Sequence, residues 1–309
     1  MAAPIVLFAY KRVDTLQRVI TSLEAADMAA ETEIFIFVDA AKKENDIEKN
    51  EAVKSYLEQW KEHAVFSKVY LSFAEENKGL SKSIIGGVGQ IMAQFGRAIV
   101  VEDDIVVAKD FLSFMNRSLD YYENDEKIWA ITGYTEELEL LEQYEYSTFP
   151  WYRCDCWGWA SWKDRWESID WEVKDYKKFM FSGKLRKKMN RGGEDMARML
   201  DAQMAGEINS WAIRWGYAAA MQDKMIIHPT VSRVTNVGFD GDGTNCGVNA
   251  QEKPIREMDT DCILLPSDNL TMELHKAYLY KVNHQYSTLS RIRKRVKSIC
   301  RRIKWICHV

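Results

Sequence analysis

The sequence predicts an α/β protein built on a mostly parallel central sheet. Short apolar runs alternate with segments of helical periodicity through the first hundred residues, and polar residues follow the ends of these runs. No segment rich in Gly, Ser or Pro divides the 309 residues. Alternating strands and helices favour parallel strands covered by helices on both faces. A chain of this length fits one large domain.

The first four strand candidates are short runs rich in β-branched and aromatic residues. They lie at residues 4–10, 33–39, 66–72 and 97–101. Helical spacing of apolar residues predicts helices around 16–23, 50–63 and 80–95. Beyond residue 104 the alternation weakens. The pattern there predicts a helix over 110–122, a strand at 129–132, an irregular aromatic stretch, helical structure at 176–204 and a strand at 225–228.

The cysteine spacing and the N-terminus favour a cytoplasmic protein. The six cysteines lack the paired C-x-x-C spacing of zinc sites, and a reducing compartment fits them best. Lys11 and Arg12 interrupt the first apolar run, so we expect no secretory signal. No window approaches the roughly 20 apolar residues of a spanning helix.

Three acids follow the fourth strand directly, at Glu102, Asp103 and Asp104. Their mutual repulsion and desolvation next to a buried strand would be costly without a cation. A hard divalent cation, Mg²⁺ or Mn²⁺, takes carboxylate oxygens and leaves positions open for phosphate oxygens. The alternative is that the acids cap a helix or form a solvated turn.

Other polar residues lie at the ends of neighbouring strands. Tyr10 and Arg12 follow the first strand, and Asp39 closes the second. The carboxyl ends of parallel strands meet at one sheet edge, where ligands bind, so we expect these residues beside the three acids. Asp39 is a candidate acceptor for a base or ribose. Asn77 and Lys78 precede the third helix and could approach a nucleotide, but they equally suit a turn before an N-cap.

The Asn77-x-Gly79 turn and the Val-Glu-Asp-Asp strand end make the sequence resemble GT-A glycosyltransferases. More specifically, the sequence resembles the inverting N-acetylglucosaminyltransferase I-like family and its bacterial relatives. Residues 209–215, 227–233 and 236–244 are similar, in order, to that family's Trp-containing helix start, Pro-x-x-Ser-Arg strand and glycine-rich loop. The resemblance implies a GT-A single domain with a Rossmann-like sheet and a nucleotide-sugar donor, with UDP-N-acetylglucosamine favoured. It also implies that Asp104 is the metal ligand.

The glycine-rich segment is predicted to close over a diphosphate. Gly241 and Gly243 would direct backbone amides at the phosphates, and Arg233 would neutralise their charge. The alternative is a surface hairpin. Where the eukaryotic relatives carry paired acids before the tryptophan, this chain has Asn209 and Ser210. Glu207 is the nearest carboxylate and is therefore the predicted general base; Asp195 and Asp201 are its substitutes.

Five tryptophans lie between residues 151 and 166. Aromatic rings stack against the apolar faces of sugars, so Trp159 is predicted to contact the donor sugar. Trp157, Trp162 and Trp211 are predicted to contact the acceptor. The alternative is that some of these rings fill the core.

Residues 289–306 have the periodicity of an amphipathic helix. Residues 291–304 hold eight Lys or Arg and no acid; without these eight charges the net charge of −4 becomes −12. Such a helix suits an anionic membrane surface. Alternatively, it binds a partner protein or packs onto the body. The acidic body, without a recognisable nucleic-acid module, argues against nucleic acid.

These features predict metal-dependent transfer of a sugar, N-acetylglucosamine or a related hexose, from a UDP-sugar to a glycan or lipid-linked acceptor. The resemblance implies inversion, and the tail implies peripheral attachment to the inner face of a bacterial membrane. The predicted organisation is a domain over 1–270, with a nucleotide-binding half (1–105) and an acceptor half (106–270), and a basic helical tail over 271–309. The alternatives are a nucleotidyltransferase and a catalytically degenerate nucleotide-sugar-binding protein.

Overall fold

A computed structural model describes residues 2–137, 141, 144–238, 264, 272–283 and 288–307. The strands are β1 (Ile5–Ala9), β2 (Glu33–Val38), β3 (Lys68–Phe73), β4 (Arg97–Glu102), β5 (Ile105–Val107), β6 (Ile128–Thr132), β7 (Thr148–Trp151), β8 (Trp159–Trp162), β9 (Met225–Pro229) and β10 (Val234–Asn236). The helices are α1 (Val13–Glu24), α2 (Ile47–Lys61), α3 (Leu80–Phe95), α4 (Phe111–Tyr122), α5 (Lys163–Glu167), α6 (Tyr176–Phe181), α7 (Gly183–Met189), α8 (Met196–Met204), α9 (Trp211–Met221), α10 (Met272–Asn283) and α11 (Thr288–Cys307).

Eight strands form the main sheet, in the order β3-β2-β1-β4-β8-β6-β9-β7. The first four are mutually parallel. β8 runs antiparallel to both of its neighbours, β6 and β9 are parallel, and β7 closes the edge as an antiparallel strand. Six of the eight strands therefore share one direction. The predicted α/β fold class with a mostly parallel central sheet is confirmed.

Alternate residues of β1 show why the sheet is covered on both faces. Ile5 and Leu7 belong to one core cluster, packed with residues of α1, α2 and α4. Val6 and Phe8 belong to another, packed with residues of α3 and α9. In α3 the close approach depends on Gly87, since a Cβ there would lie 2.9 Å from the Phe8 ring.

The second half departs from the predicted pattern. The stretch expected to be irregular contains β7 and β8, whose residues are all buried. The stretch at 176–204 is divided into α6, α7 and α8, and Ser182 caps α7 by accepting a hydrogen bond from the Leu185 amide. These strands are buried on both faces, so they lack the alternation by which a half-buried strand is recognised.

The two C-terminal helices contact the body in different ways. α10 packs through Leu274, Tyr278 and Val282 against a cluster that includes Phe149 and Trp151. α11 contacts α8, where Ser298 donates a hydrogen bond to Asp201. None of the helices in the described parts of the chain has both the length and the apolar character needed to cross a membrane. The domain boundary at residue 270 stays a prediction.

Candidate active site

The acidic segment Glu102-Asp103-Asp104 lies where the chain leaves the main sheet. β4 ends at Glu102, and β5 begins at Ile105 and pairs with β10 in a separate antiparallel sheet. The Val237 amide, just beyond β10, donates a hydrogen bond to the Asp104 carbonyl oxygen at 2.8 Å. The segment is therefore held between two sheets, and the start of the glycine-rich segment is fixed beside it.

The end of β1 supplies a cation to these acids. The Nη2 atom of Arg12 donates to the Oδ1 atom of Asp103 and, at 2.9 Å, to the Oδ2 atom of Asp104. The Tyr10 amide donates to the other carboxylate oxygen of Asp103 at 3.3 Å. The structure thus brings Tyr10 and Arg12 to the acidic segment, as expected for residues that follow the ends of neighbouring parallel strands.

Among the described residues, Arg12 is the one cation paired with these acids, and one guanidinium does not balance three carboxylates. Burial raises the pKa of Glu102 to about 8, and the charges of Asp104 and Asp103 contribute. Burial also raises the pKa of Asp103 to about 6, although Arg12 opposes this rise. With all three acids ionised, the group would carry two uncompensated negative charges, which is the charge that one divalent cation neutralises.

The donor set fits a hard cation that is only partly ligated by protein. Asp104 offers carboxylate oxygen, the ligand that Mg²⁺ and Mn²⁺ take in proteins. Within the described ranges, no group of three or more His, Cys, Asp or Glu side chains is arranged to hold a metal. The remaining ligands would therefore come from water or phosphate oxygens. Among these same residues the buried Nη1 atom of Arg12 has no hydrogen-bond acceptor, which also suits an anionic ligand.

Gly238 lies directly against this group. A Cβ at this position would overlap the Asp104 carboxylate and lie 2.7 Å from the Nη1 atom of Arg12. The Gly238 amide donates to the Asn236 side-chain oxygen at 2.7 Å, which fixes its position. The predicted loop residues Gly241 and Gly243 lie outside the described residues.

We expect Gly238→Ala to lower turnover about 10- to 100-fold, because the added methyl group must displace the Asp104 carboxylate or Arg12, and small displacements at a reacting centre are costly. Thermal unfolding should change less than turnover, because the nearest atoms belong to the ends of the Asp104 and Arg12 side chains. The measurement is nucleoside diphosphate release at saturating metal. Gly183→Ala is the matched control, because a Cβ there meets nothing within 4 Å. Equal turnover in the two variants would contradict the assignment of Gly238 to the site.

Asp39 organises the turn before α3. Its carboxylate accepts hydrogen bonds from the Asn77 side chain at 3.1 Å and from the amides of Lys78 at 2.9 Å and Gly79 at 2.7 Å. The Lys78 side chain is exposed. These contacts are those of a structural turn, which is the alternative given above for Asn77 and Lys78. Nucleotide binding by Asp39, Asn77 or Lys78 stays a prediction.

Three of the four tryptophans predicted to contact sugars are core residues. Trp159, Trp162 and Trp211 are 1%, 3% and 4% exposed. Trp159 packs against the rings of Trp215 at 4.5 Å and Trp211 at 5.4 Å. Their faces are covered by other side chains, so the expectation that these three stack on sugars is corrected. Trp157 is partly exposed and contacts Tyr134 edge-on at 4.6 Å, so it stays a candidate.

Arg233 is also an internal residue. It is 2% exposed, and its Nε atom donates to the Asp110 carboxylate at 2.9 Å. Its guanidinium lies 4.1 Å from the centre of the Phe114 ring. The expectation that Arg233 neutralises a donor phosphate is therefore corrected: it anchors β10 to the start of α4.

Glu207 lies in the loop between α8 and α9 and faces α11. Its carboxylate accepts from Arg301 at 2.7 and 2.6 Å and lies 3.3 Å from the Lys297 ammonium. The hydrogen bonds from Arg301, with those from Lys297, lower its pKa to about 2. A carboxylate held this way accepts a proton poorly at neutral pH. The role of Glu207 as the general base stays a prediction, but the ion pairs with Arg301 and Lys297 disfavour that role.

Asp155, between β7 and β8, is a carboxylate that no sequence motif indicated. Its Oδ1 atom lies 3.5 Å from the Nε atom of Arg153, and its Oδ2 atom lies 3.9 Å from the Nδ1 atom of His228. Burial raises its pKa to about 7; Arg153 opposes the rise and Glu136 adds to it. A carboxylate between two cysteines, just before Trp157, was the only signal in the sequence.

Cys156 follows Asp155 in the loop between β7 and β8. Burial raises the pKa of the Cys156 thiol, and the charges of Glu102, Asp155 and Asp104 all contribute to this shift. His228 has a lowered pKa of about 4, mainly through burial, and its ring nitrogens lie 3.2 and 3.1 Å from the carbonyl oxygens of Tyr134 and Arg153. The neutral ring has one N–H and therefore donates to only one of these two carbonyl oxygens.

Known proteins give limited further information. No protein-family model and no curated protein matches the chain. Similar solved structures include TarS from S. aureus (16% identity, TM-score 0.33), HddC from Yersinia pseudotuberculosis (15%, 0.27) and mouse xyloside xylosyltransferase 1 (11%, 0.26). They cover 43%, 39% and 43% of this chain, and the matches span 21%, 55% and 52% of theirs. The predicted relation to N-acetylglucosaminyltransferase I-like enzymes stays a prediction.

Proposed function

We propose that this protein is a glycosyltransferase that moves a sugar from a nucleoside diphosphate donor to an acceptor hydroxyl. One observation carries the proposal: three acids lie at the end of β4, two of them, Asp103 and Asp104, are buried, and among the described residues one guanidinium, that of Arg12, opposes them while the Asp104 carboxylate lies against Gly238. A diphosphate with its divalent cation has the charge distribution that such a group accommodates. The favoured donor is UDP-N-acetylglucosamine, and the acceptor is a glycan or a lipid-linked saccharide.

In this proposal Asp104 holds the Mg²⁺ or Mn²⁺ ion, which when bound stabilises negative charge on the departing diphosphate. Besides the charge of the metal ion, the Arg12 side chain contributes positive charge to the site. Its unpartnered Nη1 atom would donate to a phosphate oxygen. Because Gly238 has no side chain, its backbone lies close to both Arg12 and the Asp104 carboxylate.

An inverting transfer requires a base that removes the proton from the attacking hydroxyl. We assign this base to Asp155 in preference to Glu207. Asp155 is partly exposed and has a pKa close to neutral, whereas Glu207 is held by Arg301. Trp157, two residues further along, remains the candidate for the acceptor wall. Attachment to the inner face of a bacterial membrane would bring a lipid-linked acceptor within reach.

The pH dependence of Asp155→Asn tests this base. The base acts in its ionised form, so the kcat/KM of the wild type should rise with pH and level off above the pKa of about 7. We expect Asp155→Asn to lower kcat about 10²- to 10⁴-fold and to remove this pH dependence. Glu207→Gln is the comparison and should retain most of its turnover. The reverse pattern, with Glu207→Gln inactive and Asp155→Asn active, would return the role to Glu207.

The proposed function itself is tested by incubating the protein with a panel of nucleotide sugars, with Mn²⁺ or with chelator, and measuring the nucleoside diphosphate released. Slow hydrolysis of one donor, dependent on metal, is the expected result. Release of pyrophosphate from a sugar phosphate and a nucleoside triphosphate would instead indicate a nucleotidyltransferase. If calorimetry detected no metal-dependent binding of any nucleotide sugar, the glycosyltransferase proposal would fail.

A further inference from the structure

α11 presents an apolar stripe to solvent. Ile292, Val296, Ile299 and Ile303 are 52%, 56%, 54% and 55% exposed. Their spacing of four, three and four residues places them on one side of the helix. Within the described part of the chain, neighbouring residues bury no more than about half of each of these four side chains. Burial of such a stripe in an apolar environment is favourable, so its exposure calls for a partner.

The opposite side of α11 is clamped to the body by three acids. Asp201, which is fully buried in α8, accepts a hydrogen bond from Ser298. Arg301 forms two hydrogen bonds with Glu207, and Arg295 donates to Glu194 at 3.1 Å. These contacts fix the rotation of the helix about its axis, so the stripe faces outward because the polar side is already bound.

The charges beside the stripe identify its partner. Arg293 lies on one side of the stripe and is exposed, whereas Arg295 lies on the other side and is paired with Glu194. No acid occurs between residues 291 and 304, whereas the rest of the chain is acidic. An apolar centre with cationic margins complements lipid tails beneath anionic headgroups. A second copy of this helix would oppose like charges across the contact, which is unfavourable.

We propose that α11 binds an anionic lipid surface through Ile292, Val296, Ile299 and Ile303, with the helix axis parallel to the membrane and the clamped side facing the body. The clamp makes the attachment rigid, so the body is held in one orientation over the lipid. This inference concerns an attachment surface and does not depend on the proposed sugar transfer. It would stand even if the protein transferred no sugar.

Co-sedimentation with vesicles tests the proposal. The full chain is mixed with vesicles of phosphatidylcholine alone or with about 30 mol% phosphatidylglycerol, a typical anionic surface. We expect binding to the anionic vesicles that weakens at high salt, because the arginines are exposed. Val296→Ser/Ile299→Ser should lower the partition coefficient at least about tenfold. Ile47→Ser/Val65→Ser removes two side chains of 50% exposure elsewhere and should bind as the wild type does.

Three outcomes would overturn the proposal. These are no binding of the wild type to anionic vesicles, equal binding of Val296→Ser/Ile299→Ser, and a dimer in analytical ultracentrifugation that this variant abolishes while vesicles bind neither protein. The last outcome would assign the stripe to a second copy. Arg293→Gln changes only an exposed side chain and provides a second readout: its binding should be weaker and less sensitive to salt. Unchanged binding and salt sensitivity in this variant would contradict the cationic margin.

Discussion

Replacement of Asp104 by Asn is expected to lower metal-dependent release of nucleoside diphosphate about 10²- to 10³-fold, the usual effect of removing one group that stabilises developing charge. The amide has the size of the carboxylate but neither its charge nor its affinity for a hard cation. The second carboxylate bound by Arg12 belongs to Asp103, so the guanidinium keeps one partner. The fold should therefore persist. Turnover at several Mn²⁺ concentrations, together with calorimetric titration of Mn²⁺ and nucleotide, is the measurement.

Asp120→Asn is a suitable control, because Asp120 pairs with Arg97 at the surface and its side chain is 65% exposed. This control should retain full turnover and metal affinity. If Asp104→Asn bound Mn²⁺ and nucleotide as tightly as the control does, Asp104 would not be the metal ligand. Excess Mn²⁺ should restore part of the lost turnover only if the main defect is in metal affinity.

Replacement of Asp201 by Asn should destabilise the fold by about 3–5 kcal/mol, the usual effect of removing one partner from a buried ion pair. Asp201 is fully buried and accepts from Arg186 at 2.8 and 2.7 Å, from Tyr176 at 3.1 Å, and from Ser298. An amide offers one acceptor in place of two and directs two N–H donors at groups that are themselves donors. Arg186 would be left largely buried without a countercharge.

The free energy of unfolding in urea measures this effect. The same Asp120→Asn control should lose no more than about 1 kcal/mol, as exposed pairs do. Because Asp201 also holds Ser298, limited proteolysis of Asp201→Asn should cleave α11 sooner than in the wild type. A loss of stability below about 1 kcal/mol would show that Arg186 and α11 are held chiefly by other contacts.

The first half of the fold was predictable because its strands and helices follow simple patterns. The predicted helix over 80–95 coincides with α3, and the predicted strands at 4–10, 33–39 and 97–101 contain β1 and β2 and nearly all of β4. β1 and β2 are each followed along the chain by a long helix with one apolar face. In β7 and β8 every residue is buried and each strand has only four residues, so no period distinguishes them from loop.

The site was predictable only where sequence neighbours define it. Three acids that are consecutive in the sequence must lie close together, and the parallel pairing of β1 with β4 brings Arg12 to them. Arg233 and Glu207 were different, because their partners lie 123 and 94 residues away in sequence, at Asp110 and Arg301. A single sequence cannot identify such pairs. The tryptophans were ambiguous because a large ring suits a sugar platform and a core equally well.

The pairing of β5 with β10 has a consequence for engineering. Asp104 precedes one strand of this small sheet and Gly238 follows the other, so their separation is set by the register of three residue pairs. A slip of one residue would move Gly238 by roughly 3.3 Å and turn its neighbours to the opposite face. The acidic segment therefore does not keep this geometry when it is moved by itself. Grafting it onto another scaffold, or recombining it between homologues, requires that β5 and β10 be transferred together.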